Sequence, residues 1–245
     1  VDIDAARLYE LVHEADSDAP VTTSQPSPAA FTEAYRRGID QGAEGVLGIY
    51  ISSQISGTYS TGAASLRSMP QVDGLAVDSH SGSFGTGLLA VRAVELLDEG
   101  MELHEVAREL ERIRDQSNIF ISVATLEYLL RSGRVGRAKA FLGGLLDLKP
   151  ILSLSDGGRL TALGRARGME AVLDKVFDLL DERLISAVRY RFGVAHFAAE
   201  DWLHHVVEEL ERRYEPLEIL SGPATAALGV HTGPGAWCLA YQIED

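Results

Sequence analysis

The chain has 245 residues and is 46% hydrophobic, enough to bury the core of one large domain or two modest ones, which excludes a disordered chain. Its 22 basic and 36 acidic residues leave a formal charge of -14, which opposes loose adherence to nucleic acid or to an anionic membrane surface. A single cysteine, Cys238, excludes an internal disulfide and a cysteine-built zinc cluster; within the apolar run Ala236 to Ala240 it reads as a small buried hydrophobe. No run approaches the ~18 apolar residues of a membrane span, and the first residues carry neither a basic nor an apolar leader region, so the expected compartment is the cytoplasm.

In chain order, Leu8, Leu11 and Val12 have helical spacing in an opening stretch that ends near Ala15, before the polar segment Asp16 to Asp18 and Pro20. A second amphipathic helix is predicted from Phe31 to Gln41. The run V-L-G-I-Y-I after Gly45 then suits a buried parallel strand. Leu75 to Val77 is a short strand ending at Asp78 and Ser79, followed by a Gly/Ser-rich turn and a helix from Leu88 to Leu97 that stops at Gly100. The helix Leu103 to Asp115 carries Leu103, Val106, Leu110 and Ile113 on one face. Beyond it come strand I-F-I-S-V-A, helix T-L-E-Y-L-L-R, a Gly/Arg-rich loop and a helix around Ala138 to Leu146. A hairpin of Pro150 to Leu154 and Arg159 to Ala162 turns at the D-G-G of Asp156 to Gly158. Helices at Arg167 to about Leu184 and Trp202 to Arg213, with strands at Tyr190 to His196, Leu217 to Leu220 and Ala236 to Ile243, complete the pattern. The expected fold is α/β in two domains, 1–105 and 106–245. The first follows a βαβ rhythm, and the mix of elements in the second suggests a smaller α+β layer.

Three segments cluster hydroxyls, glycines and prolines beside apolar elements: Thr23 to Pro28, Ser52 to Ser60 and His231 to Gly235. The first also reads as a plain helix entry, with Ser27 as N-cap and Pro28 at the first helical position, and the third as a tight turn. The second follows the carboxyl end of a predicted central strand and opens a helix, where α/β sheets place ligands and free amides favour an anion. None of the three contains Lys or Arg, so hydroxyls, amides and one imidazole suit a carboxyl group better than a multiply charged phosphate. The Gly-rich run Ser81 to Gly87 matches neither a dinucleotide fingerprint nor a P-loop.

Taken in order, T-S-Q-P-S at 23–27, S-S-Q-I-S-G-T-Y at 52–59, D-S at 78–79, T-L-E-Y-L-L-R-S-G-R at 125–134, L-K-P-I-L at 148–152 and H-T-G-P-G at 231–235 resemble the DegV family of fatty-acid-binding proteins, with Ile55 where the family usually has leucine. The resemblance spans nearly the whole chain and implies a two-domain fold, a three-layer α/β/α parallel-sheet domain plus a smaller two-layer α+β domain, with a fatty acid held between the two. Carried over by motif, Thr23 and Ser56 would donate to the carboxyl group, the Gly57 amide would assist and His231 would close the network; Ser24, Thr58 and Thr232 rank second. It also implies a non-catalytic carrier that presents the acyl carboxylate to a separate fatty-acid kinase catalytic subunit, with no cofactor beyond the bound fatty acid, and neither a nucleic-acid partner nor integral membrane association. Family members usually begin with a strand ending in T-D-S ahead of the helix equivalent to Ile3 to His13, and the expectation is that this region is missing from the first domain.

Arg131, Arg134 and Arg137 form one basic cluster and Arg165 and Arg167 a second. Arg134, Arg165 and Arg167 are carried forward as contacts to the kinase or a phosphorylated head group, set against a plain solvated face. Two rival functions stand beside the carrier. One is a serine hydrolase with Ser56 as nucleophile, His231 as base and Asp78 as orienter, although G-x-S-x-G is absent around Ser56; the other is a non-catalytic regulatory interaction module. Metal catalysis is disfavoured, because the neighbours His204 and His205 point apart on a helix and H-E-x-x-H does not occur.

Overall fold

The computed structural model describes residues 7, 10, 11, 21–141, 148–155 and 157–245. Arg7, Glu10 and Leu11 are helical, and the rest of the predicted opening helix lies outside the described residues. So do Asp156 of the hairpin turn and residues 142–147 of the predicted helix around Ala138, of which a 3-10 turn, Gly136–Phe141, is seen.

In the first half, β1 (Gly45–Tyr50) and β2 (Asp73–Asp78) pair in parallel, Gly45 opposite Asp73 through Tyr50 opposite Asp78. Helices α1 (Pro28–Asp40) and α2 (Thr58–Arg67) cover one face of this sheet through Tyr35, Leu66 and Met69 packed on Val46 and Ala76. On the other face lie α3 (Phe84–Asp98) and α4 (Leu103–Gln116), whose Leu89, Leu96, Val106, Leu110 and Ile113 pack on Leu47, Ile49 and Val77. The period-2 alternation of β1 and β2 thus feeds two helical layers, giving the three-layer arrangement. The cut expected at residue 105 falls within α4, an undivided helix whose buried face belongs to the first half.

The second half, expected to be the smaller, carries the larger sheet among the described residues. Its six strands run in the order β5 (Arg159–Arg167), β4 (Leu148–Ser155), β3 (Asn118–Ser122), β8 (Ala236–Ile243), β6 (Tyr190–Phe197), β7 (Ile219–Pro223). All neighbours are antiparallel except β6 and β7. Helices α6 (Met169–Leu184) and α7 (Glu200–Arg213) pack on one face through Val172, Val176, Phe177, Leu203 and Val206. The opposite face meets α3 of the first half, together with α5 (Glu127–Arg131). Helix α3 therefore lies between the two sheets.

Element limits shift where local chemistry overrides hydrophobic spacing. Helix α1 starts at Pro28 because Ser27, extended at φ -70 and ψ 157, caps Ala30 N–H at 3.2 Å. Helix α6 begins at Met169 rather than Arg167, since Gly168 at φ 77 breaks the chain out of β5. The β4–β5 hairpin is longer than its apolar runs, and it holds a bulge in which Ile151 and Leu152 oppose Gly164 and Ala162, leaving Leu163 unpaired. A short helix that the sequence did not signal, α8 (Ala226–Thr232), carries the histidine that had been read as part of a loop.

A buried ion network ties α3 to the end of the second sheet. Arg191, 7% exposed, holds Glu95 of α3 at 2.7 Å, Glu218 at 3.0 Å and Glu244 at 2.7 Å, while Arg92 reaches Glu95 at 3.1 Å. The Glu244 side chain is only 1% exposed, so losing Arg191 would leave its carboxylate in low dielectric with the Gln242 amide at 2.9 Å and longer contacts to Arg92 at 3.7 Å and Arg189 at 3.9 Å. Arg191→Met is expected to lower stability by about 3–5 kcal/mol in urea unfolding, with Arg191→Lys recovering part of it. A loss below about 1 kcal/mol for Arg191→Met would show that the network contributes little.

Candidate functional site

The strand ends and loops between the halves enclose a cavity of ≈ 540 Å³, within the ~300–1,000 Å³ of small-molecule sites. Thr23, Ser24, Ser56, Thr58, His231 and Thr232 all line it. Gly57 is not on the wall; it is the N-cap of α2, and a Cβ there would stand 3.1 Å from the Gln25 side chain, so its lack of a side chain lets the first two polar loops meet.

Each polar residue is placed by a different element. Thr23 precedes α1, and its Oγ1 lies 2.7 Å from His231 Nε2 near the end of α8. Gly229 of α8 sits against the Phe197 ring, where a Cβ would clash, and Gly233 at φ 73 turns the chain against Tyr128. Ser56 Oγ is 2.7 Å from Thr58 Oγ1 and accepts the Thr58 N–H at 3.2 Å. Each hydroxyl has one hydrogen, so whichever of Ser56 and Thr58 donates to the other, one hydroxyl hydrogen remains for a ligand. Thr232 donates to Leu228 O at 3.0 Å. Arg134 also lines the cavity and donates to Ser132 O at 2.6 Å, so this site includes a cation although the three polar loops supply none. Arg165 and Arg167 lie on β5 away from the cavity wall.

The rest of the lining is apolar. Across one face of the second sheet, Ile121 of β3, Cys238 of β8 and Ala195 of β6 stand side by side, and the small pair Cys238 and Ala195 leaves a trough between strands. Ile119, Leu154, Leu160, Leu129 and Ile55 wall it. Sequence reasoning named none of these as lining, although alternation in β3 and β8 was readable; which face met the cavity depended on the strand order. Cys238 is 8% exposed, and burial raises its thiol pKa, so it presents a neutral, apolar surface there.

The hydrolase arrangement is not assembled. Ser56 bonds Thr58, His231 bonds Thr23, and Asp78 accepts the backbone N–H groups of Ser53 at 3.1 Å and His80 at 3.2 Å, so no Ser56–His231–Asp78 relay exists among the described residues. Among those residues, moreover, no three His, Cys, Asp or Glu side chains converge to hold a metal, and no helix is long and apolar enough to cross a membrane.

Burial, and then the Arg134 charge, lower the His231 pKa, so the folded chain favours the neutral ring. Its Nδ1 is buried without a hydrogen-bond partner among the described residues. Because the folded value lies below the ordinary 6.5, acidification protonates the unfolded chain first; this stabilising contribution is present above that value and is lost as pH falls below it. Urea midpoints measured from neutral to mildly acidic pH should therefore fall less steeply in His231→Gln than in the unaltered chain. His196, whose pKa is also lowered by burial, contributes to the slope that remains, as do carboxylates such as Glu95 and Glu109 whose pKa values are lowered. Identical slopes would contradict the assignment.

A family model described as an uncharacterised protein of the DegV family matches residues 1–244. Protein DegV of Bacillus subtilis is 30% identical over 243 residues, 97% of this chain and 85% of that protein. A DegV domain-containing protein of Streptomyces coelicolor is 33% identical over 217 residues, 88% of this chain and 76% of the relative. Among solved structures, one reporting fatty acid binding of a DegV family protein from Thermus thermophilus superposes with a TM-score of 0.91 at 36% identity, covering 98% of this chain and 85% of that one. The structure of Bacillus subtilis DegV, described as a fatty acid binding protein, superposes with a TM-score of 0.86 at 28% identity, covering 98% and 84%. With the same fold and a match along almost its whole length, this chain belongs to the DegV family.

Proposed function

We propose that the chain binds one long-chain fatty acid, its carboxyl end among Thr23, Ser56, Thr58 and His231 and its tail along the trough over Ala195 and Cys238. One observation carries the reading: a cavity that is apolar over most of its wall collects hydroxyls, an imidazole and a guanidinium from four separate segments. The fatty acid binding described for the Thermus thermophilus and Bacillus subtilis relatives supports it. Burial of a CH₂ is worth roughly 0.8 kcal/mol, so a sixteen-carbon tail offers on the order of 10 kcal/mol before ordering costs. The head contacts, about 0.5–1.5 kcal/mol each, then set orientation more than affinity.

Native mass spectrometry of the purified chain should show an added mass of a few hundred daltons that denaturation releases as fatty acid. Ala195→Leu, which fills the trough, should shift the retained acids toward shorter chains, whereas Ser56→Ala should weaken binding by about tenfold or less. A chain that stays unliganded after incubation with fatty acids would end the proposal.

We further infer that the carrier presents its acyl carboxylate to the catalytic subunit of a fatty-acid kinase, the phosphoryl transfer belonging to that partner. Arg165 and Arg167, exposed on edge strand β5, and Arg134 at the cavity wall are the proposed contacts. With loaded protein, catalytic subunit and ATP, acyl phosphate should form, and the double variant Arg165→Ala, Arg167→Ala should slow its formation while leaving the bound acid in place. Equal rates would remove the two β5 arginines from the interface, and no acyl phosphate at all would remove the kinase.

A further inference from the structure

A second cavity, of ≈ 520 Å³, opens where the loop after β2, the end of α4, the tip of the β4–β5 hairpin and the last turn of α6 meet. It nearly equals the first in size but differs in character. Ser81, Arg114, Asn118, Ser155 and Arg183 contribute to its wall, and Asp115 is the carboxylate residue among the described lining. The loop 79–86 and Leu154 divide the two spaces: Ser81 faces this one, Gly82, Ser83 and Thr86 face the acyl cavity, and Leu154 borders both.

Two independent features point to a ligand. Ser81 is 7% exposed, yet its Oγ has no hydrogen-bond partner among the described residues. A Cβ on Gly85 would overlap that oxygen, so the hydroxyl lies over the Gly85 backbone, and both residues are on the cavity wall. A buried hydroxyl left unpaired is costly, and a rotation of the Ser81 side chain toward the cavity would let a bound group satisfy it.

The second feature is a pair of guanidinium groups within a chain of net charge -14. Arg114, whose side chain is 14% exposed, donates through Nη1 to Asp78 O at 3.1 Å and through Nε to Asp115 at 2.9 Å. Its Nη2 makes no hydrogen bond among the described residues. Arg183 forms no ion pair with a described carboxylate and lies near Tyr241, which also borders the cavity. Planar guanidinium forks beside a hydroxyl and an amide match the acceptor geometry of an oxyanion.

We infer that this cavity is a second ligand site, one that takes a small polar molecule bearing an oxyanion, a phosphate or a carboxylate, held by Arg183, the free nitrogen of Arg114 and Ser81. It is independent of the acyl cavity and does not rest on the carrier reading.

The test is calorimetric titration of inorganic phosphate, and separately of acetate, into the full chain at constant ionic strength. Arg183→Met and Arg134→Met are titrated alongside, with melting temperatures confirming that each variant folds; Arg183 is exposed, and its replacement leaves the core intact. Saturable binding weakened about tenfold or more by Arg183→Met, and unchanged by Arg134→Met, supports the site, and the two probes tell phosphate from carboxylate. The inference is overturned by the absence of saturable binding for both probes or by equal binding in Arg183→Met. Loss on Arg134→Met alone would likewise overturn it, because the anion would then sit at the acyl cavity.

Discussion

Ser52, with no exposed surface, joins three chain segments that would otherwise be independent loops. Its N–H donates to Ser81 O at 2.8 Å, its hydroxyl donates to Gly158 O at 2.8 Å and accepts the Gln54 N–H at 3.2 Å, and its carbonyl accepts from Ile55 and Ser56. Ser52 itself is hidden from water, so any of its polar groups left unbonded would cost the desolvation of that group. The hairpin tip must therefore come down on the loop that opens α2, and it can do so because Gly158, at φ +90, has no Cβ to collide with the Ser52 hydroxyl. A contact from Arg159 Nε to Gln54 Oε1 at 3.1 Å reinforces the same junction. The position of Ser56, and with it the polar end of the acyl cavity, is thus fixed by a glycine of the opposite half.

That constraint also explains why two cavities flank one loop. The chain from Ser79 to Thr86 is held by Ser52 on one side and by the Ser79–Thr86 hydroxyl pair at 2.8 Å on the other. His80 and Ser83 both adopt φ near 50, a left-handed conformation that non-glycine residues occupy only when their surroundings demand it. A partition so restrained keeps the apolar space on one side and the polar space on the other from merging.

Periodicity made much of this fold legible. The Val106, Leu110, Ile113 series is wholly buried, the run at β8 is a central strand, and the V-L-G-I-Y-I strand pairs in parallel as its composition suggested. What periodicity does not contain is the choice among partners. Helix α8 escaped notice because seven residues with Gly229 inside have little intrinsic helicity; packing on Phe197 and α5 supplies what propensity does not. The first turn of α3 was hidden in the same way by Gly85 and Gly87, which disfavour a helix until the turn is held from outside. Motif order brought Thr23, Ser56 and His231 into view, while the position of Arg134 at the same wall depended on a loop that leaves α5 through Gly133 at φ 75. Nothing in a stretch of arginines and glycines tells which of them turns inward.

The division of labour within the acyl cavity follows from these placements. The trough belongs to the second sheet, Thr23 and Ser56 to the first half, and His231 and Arg134 to the second. A ligand filling the trough would therefore meet polar groups from both halves at once and add its binding free energy to the stability of their junction, through preferential binding to the folded state. Because Ala195 and Cys238 sit in the middle strands β6 and β8, where backbone pairing is complete on both edges, the trough floor is set by side-chain size alone. Widening or narrowing it requires no change of backbone. Polar end and floor are hence separable: the junction at Ser52 positions the polar groups, and a few small side chains in the middle of the sheet set the depth of the trough.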